Sequence, residues 1–216
     1  MDVFNTIIRF LQDGGIFMYP LLLILAIGLA IALERYLYLT SSESSNKKMW
    51  QGLLPQIIKG NYQHVVKQVS DTKAPIATIL SYGLSKLSTS SRRDDIETAM
   101  EEGLMEVIPR LEKRTHYLAA FANIATLLGL LGTIIGLIQA FTAVANADPA
   151  EKADLLSSSI SVAMNTTAFG LIVAIPLLLM HTVLQTKTTG IVDSLEMASV
   201  KFLNIITRKK PDNEPK

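Results

Sequence analysis

Two apolar stretches of the chain carry hydroxyls and small residues at the spacing an ion path could use. The first, residues 118–147, contains Thr126, Gly129, Gly132, Thr133, Gly136 and Ala140; the second, residues 155–184, contains Ser159, Ala163, Asn165, Thr166, Thr167, Gly170 and Ala174. On a helix, the 3-4-3-4 spacing of Thr126, Gly129, Thr133, Gly136 and Ala140 makes one stripe of small or hydroxylated positions, and Ser159, Ala163, Thr166, Thr167, Gly170 and Ala174 make a similar one. Gly129, Gly136 and Gly170 would let neighbouring helices approach closely, and the hydroxyls could hydrogen-bond across the contact. The same hydroxyls could line a pore and solvate a moving ion or a neighbouring carboxylate. The pattern also fits a simple packing seam, because a threonine in a membrane helix often bonds the carbonyl four residues back. Asn165 is costly in lipid unless paired, so it reads as inter-helix glue or as a pore-facing group.

Neither stretch holds an Asp, Glu, Lys or Arg. An ion path through a membrane usually contains a group that can hold the proton or cation. The only such group within an apolar span is His181, near the end of the second stretch, where an interfacial ring with a wet edge is the simpler reading. If these helices move ions, the carrier residue is expected on another chain.

Composition bounds the alternatives. The 216 residues suffice for one small membrane unit. Mean hydropathy is positive at +0.33, high for a water-soluble domain. Charged residues make up 18% of the chain, below the usual quarter, and they are segregated from the apolar runs. A net charge of +1 gives no basis for nucleic-acid binding. The absence of cysteine excludes disulfides, thiolate catalysis and Cys-based metal sites. His64, His116 and His181 are far apart in sequence and show no ligand spacing. No phosphate loop or nucleophile elbow is present, so no enzyme is expected and no cofactor beyond a translocated ion.

The elements that must position these residues follow from periodicity. Residues 1–14 form an amphipathic segment with Phe4, Ile7, Ile8 and Leu11 on one face, which lies in the membrane interface or packs as an N-terminal turn. Residues 15–33 are an uncharged run that reads as a retained first transmembrane helix. Ala30-Ile31-Ala32 resembles a cleavage site, but the preceding region is acidic and the run is long for a signal peptide. Residues 34–117 are polar and helical. Short helices are predicted at 53–59, 62–69 and 76–87, the last opened by Pro75. A long helix follows from a capping box at Ser91 and Asp94, with Ile96, Met100, Leu104, Val107, Leu111 and Leu118 on one stripe. It is predicted to run into the second span without a stop, kinked at Pro109. Residues 118–147 form the second span, 148–154 a short loop, and 155–184 the third span with a kink predicted at Pro176. Residues 185–216 continue as an amphipathic helix and end in a polar tail.

Lys and Arg set the orientation. Arg35, Arg110, Lys113, Arg114 and Lys187 flank the spans on one side, whereas the other side has only Arg9 and Lys152. This predicts an all-α membrane protein with three transmembrane helices and helical extensions into the cytoplasm. The N-terminus is expected outside and the C-terminus inside, in the inner membrane of a bacterial cell.

The stretch from Leu128 to Phe141, LGLLGTIIGLIQAF, resembles the second-span signature of the MotA/TolQ/ExbB proton-channel family. The stretch from Asn165 to Pro176, NTTAFGLIVAIP, resembles its third-span signature. The opening DGGIFMYPLLL from Asp13, with Leu33-Glu34-Arg35-Tyr36, is similar to the ExbB branch in particular. The resemblance covers nearly the whole chain. It implies a homopentamer in membrane lipid whose second and third spans surround the single-span helices of ExbD/TolR-like subunits carrying a membrane Asp. It also implies a motor that draws on the proton motive force to energise a TonB-like transducer. The rival roles are a TolQ-like one in envelope integrity, a related motility or secretion motor, and a membrane scaffold. The pore threonines of the family map by motif onto Thr133 and Thr167, with Thr166 beside them. ExbB relatives often carry a Glu five residues before the third-span Thr, and here that position is Val162. Its absence leaves H+ and Na+ both open as the translocated ion.

Overall fold

The computed structural model describes residues 14–90, 92–145 and 147–208. Six helices occupy nearly all of them, and no strand occurs among the described residues: α1 Met18–Lys59, α2 Tyr62–Ser70, α3 Pro75–Thr89, α4 Arg93–Glu112, α5 Thr115–Ala145 and α6 Lys152–Arg208. Residues 1–13, nearly all of the segment predicted to be amphipathic, together with Ser91, Asn146 and the tail from 209, lie outside the described residues.

The described residues divide into two units. The first comprises 14–34 and 114–183, and the second 35–113 and 184–208. In the first unit, α1, α5 and α6 each contribute an apolar stretch long enough to cross a bilayer, and no more than a third of each apolar window is buried. Leu23, Leu29, Leu127, Ile134, Ile138, Leu171, Ile172 and Leu179 face outward. A water-soluble protein does not expose so continuous an apolar surface, whereas lipid favours it. The buried side mixes larger side chains, among them Leu21, Leu118, Val173 and Leu177, with the small residues Ala122, Ala125, Ala140, Ala163 and Ala174, which let backbones approach closely. Gly28 of α1 lies against Leu177, where an added Cβ would come within 2.6 Å of Leu177 Cδ2.

In the second unit, α1 continues without interruption to Lys59. The separate short helix predicted at 53–59 is thereby corrected: it is the end of α1. Arg35, Leu39, Ser42, Asn46, Leu53 and Ile57 are all buried, and their spacing of three, four or seven makes one helical face. Three of the six are polar, so the face does not read as hydrophobic in the sequence. Pro55 removes one i→i−4 bond inside the helix, while the burial of Leu53 and Ile57 on either side holds that turn. Gly60, at φ +81°, then ends α1. The buried Asn46 accepts a hydrogen bond from the Ile76 amide at 3.1 Å. It thus caps α3 from thirty residues upstream, because Ala74 at the N-cap has no side-chain oxygen to offer. α3 packs on α4 through Gly103, whose hypothetical Cβ would stand 3.0 Å from Ile79 Cα. Gly83 opens space for Met100, with Phe202 of α6 beside it.

Two further expectations are corrected here. The long helix does not pass into the second span: α4 ends at Glu112 and α5 begins at Thr115, with Arg114 at φ +66° between them. The reason is Arg35. Its buried guanidinium donates to the Arg110 carbonyl at 3.3 Å and to the Leu111 carbonyl. A continued helix would have filled those acceptors with the amides of Arg114 and Thr115. Arg35 replaces both partners and adds a cation at a helix C-terminus, where the dipole favours it. The start of α4 is also organised differently from the predicted capping box. Ser90 Oγ donates to Asp95 Oδ2 at 2.5 Å and accepts the Arg92 amide at 3.2 Å. The N-cap is Arg92, which makes no side-chain cap bond, and Ser90 and Asp95 organise the turn around it. By contrast, α2, α3 and the passage of the third span into a long helix ending at Arg208 agree with the sequence reading.

Candidate functional site

Close backbone approach of α5 and α6 defines the site. A Cβ at Gly129 would meet Thr167 Cα and Gly170 Cα at 3.3 Å, and one at Gly170 would meet Ala125 O at 2.8 Å and Gly129 Cα at 3.0 Å. At Gly136 the obstacle would be Ala163 Cβ at 2.7 Å. Gly129, Gly136 and Gly170 therefore lie in one seam between the helices.

Within that seam Thr133 of α5 and Thr167 of α6 meet. Their Oγ1 atoms are 2.5 Å apart. Thr167 Oγ1 also lies 2.8 Å from the Gly129 carbonyl, and Thr133 Oγ1 lies 3.2 Å from it. Two hydroxyl protons thus serve three contacts. Thr133 can donate to Thr167 while Thr167 donates to Gly129, or the roles can reverse. Each arrangement leaves one lone pair on the threonine that accepts and two on the threonine that only donates. Both side chains are half-buried, so the pair is open on one side. Such a pair can offer oxygens to a cation. By giving up the Gly129 bond it can also offer a proton to an arriving carboxylate. The Gly129 carbonyl is within reach of Thr167 because α5 has no side chain at that position.

Thr166 occupies a different face. It is 2% exposed, and its hydroxyl is 2.6 Å from the Gly14 carbonyl and 3.0 Å from the Val162 carbonyl of its own helix. A Cβ at Gly132 would collide with Thr166 Cγ2 at 2.4 Å. Thr166 thus ties the segment before α1 to α6 and packs against α5. Asn165 is half-buried on α6, and Val162 is 37% exposed near Gly15. Thr126 bonds the Ala122 carbonyl of its own helix at 3.1 Å and does not join the pair.

Among the described residues, no group of three or more His, Cys, Asp or Glu could hold a metal ion. Two features of this unit were not anticipated from the sequence. His116 at the start of α5 and His181 on α6 approach to 6.5 Å between ring centres, although 64 positions separate them in sequence. The Gly14 carbonyl as a partner for Thr166 was likewise invisible, since it depends on how the chain enters α1.

Three helices long and apolar enough to span a membrane, in an all-α architecture, define a polytopic membrane protein. The chain belongs to the MotA/TolQ/ExbB proton channel family, whose model matches residues 71–197. It is 28% identical over 199 residues to a biopolymer transport protein ExbB homolog of Methanothermobacter thermautotrophicus, covering 91% of this chain and 69% of that one. It is similarly 28% identical over 170 residues to the biopolymer transport protein exbB1 of Vibrio cholerae, covering 76% and 73% of the two chains. Similarity to the Tol-Pal system protein TolQ of Haemophilus influenzae is 30% over 111 residues, 51% of this chain and 48% of the relative.

Proposed function

We propose that the protein is the ExbB-like subunit of an inner-membrane, ion-driven motor, with Thr133 and Thr167 at the ion path. The observation that carries this reading is the paired hydroxyls over the Gly129 carbonyl, in spans that hold no carboxylate. The missing ionisable group arrives on a partner, a single-span ExbD/TolR-like subunit carrying a membrane Asp. Thr133 and Thr167 hydrogen-bond that carboxylate when it is ionised and release it when it is protonated. Five copies of this chain surround the partner helices, with N-termini in the periplasm and C-termini in the cytoplasm. Each charge that crosses a potential of 100 mV releases about 2.3 kcal/mol, so a few ions per step exceed thermal energy several-fold. That work passes to a TonB-like transducer for outer-membrane uptake. The protein is not an enzyme in this reading.

The ExbB branch is favoured over the TolQ branch because the ExbB-named relatives cited above align over 76% and 91% of the chain, and the TolQ relative over 51%. H+ is the proposed ion, and hydroxyl oxygens equally suit Na+.

The test is reconstitution with the Asp-bearing partner in liposomes under an imposed potential. Proton entry that requires both proteins supports the channel reading, and an equal leak without the partner contradicts it. Replacing sodium by potassium at fixed pH separates the ions: an unchanged rate excludes a sodium drive.

A further inference from the structure

His116 and His181 are the two imidazoles nearest the ends of the second and third spans, and α5 and α6 bring them together. Their ring centres are 6.5 Å apart and the planes are tilted by 48°. His116 is exposed and His181 is half-buried, so neither ring is enclosed by the chain. No described residue forms a hydrogen bond or ion pair with either ring, which leaves the ring nitrogens open to an outside ligand. With metal–nitrogen bonds of about 2.0–2.1 Å, two imidazoles on one ion hold their ring centres roughly 4.5–6.4 Å apart, the widest when they lie on opposite sides of the ion. The observed separation is therefore within a small side-chain adjustment of bridging geometry. The helices that carry the rings pack in direct backbone contact at Gly129 and Gly170, so the two ligands are held on one scaffold.

We propose that His116 and His181 form a two-imidazole site for a divalent transition-metal ion, copper or zinc, with water completing the coordination. Neutral imidazole suits both metals. A bound ion ties the start of α5 to α6. The proposal is independent of the ion-path reading, because its readout is binding.

The experiment uses tag-free, full-length protein in detergent, titrated with Cu2+ and followed by electron paramagnetic resonance. The wild type is expected to show coupling to two imidazole nitrogens at one ion per chain. In His116→Gln and His181→Gln the two-nitrogen signal disappears, and affinity falls by about tenfold or more as the effective concentration of the second ligand is lost. His64→Gln leaves signal and affinity unchanged. Circular dichroism of each variant separates loss of ligand from loss of fold. Zn2+ provides a second arm: it raises the unfolding midpoint of the wild type and not of either span variant. A two-nitrogen signal that survives in both span variants overturns the proposal, as does wild-type affinity no greater than that of the double variant.

Discussion

Thr133 and Thr167 place their hydroxyl oxygens 2.5 Å apart across α5 and α6, above a carbonyl that both can reach. The contact exists because Gly129 and Gly170 let the two backbones touch there. Packing seam and polar site, which the sequence leaves as alternatives, are thus the same structure: the glycines make the seam and the threonines occupy it.

The seam predicts an asymmetric glycine response. Gly170→Ala drives a methyl against the Ala125 carbonyl and Gly129 Cα, both backbone atoms that cannot swing away. A loss of about 1–3 kcal/mol is expected, read as a lower unfolding midpoint in detergent. Gly52 and Gly190 are helical glycines with no atom within 4 Å of an added Cβ. Gly52→Ala and Gly190→Ala should each stabilise by about 0.5–1 kcal/mol. Equal behaviour of all three variants would show that α5 and α6 do not touch at Gly170.

Arg35 predicts a second effect. Its guanidinium serves two carbonyls at the end of α4, and Lys, a single point donor, cannot match that fork. Arg35→Lys should cost about 1–3 kcal/mol and speed amide exchange in the last turn of α4. Unchanged exchange there would mean that the end of α4 does not depend on Arg35.

The cap on α3 gives a third. Asn46→Leu preserves size and removes the acceptor for the Ile76 amide. The buried, unpaired amide should cost about 1–3 kcal/mol, whereas Asn46→Asp keeps an acceptor at a helix N-terminus. Urea midpoints compare the two. A Leu variant as stable as wild type would rule out the cap.

How far the sequence led depends on which physical signal each element carries. The spans were legible because uninterrupted apolar runs of bilayer length have few other uses. The Thr133 and Thr167 motifs were legible as residue types at helical spacing. The separation of Thr167 from Thr166 was not, because adjacent helical residues point about 100° apart and only the packing partner decides which faces what. The continuation of α1 was hidden because its buried face includes Arg35, Ser42 and Asn46, so hydrophobic periodicity fades where the helix persists. The break at Lys113 and Arg114 depends on the Arg35 guanidinium, 75 residues upstream of the Arg110 carbonyl it binds, and no local pattern encodes it. The His116–His181 approach is likewise a product of antiparallel packing.

The measurement that bears most directly on the central claim is ion flux through reconstituted complexes carrying Thr133→Val, Thr167→Val or the corresponding serine substitutions. Assembly is checked by cross-linking in the same preparations. Valine keeps the shape and removes the hydroxyl, whereas serine keeps the hydroxyl. Each valine variant should assemble normally and lose flux by about tenfold or more, corresponding to a lost hydrogen bond to a charged group, and each serine variant should retain it. Wild-type flux in both valine variants would contradict the assignment of Thr133 and Thr167 to the ion path.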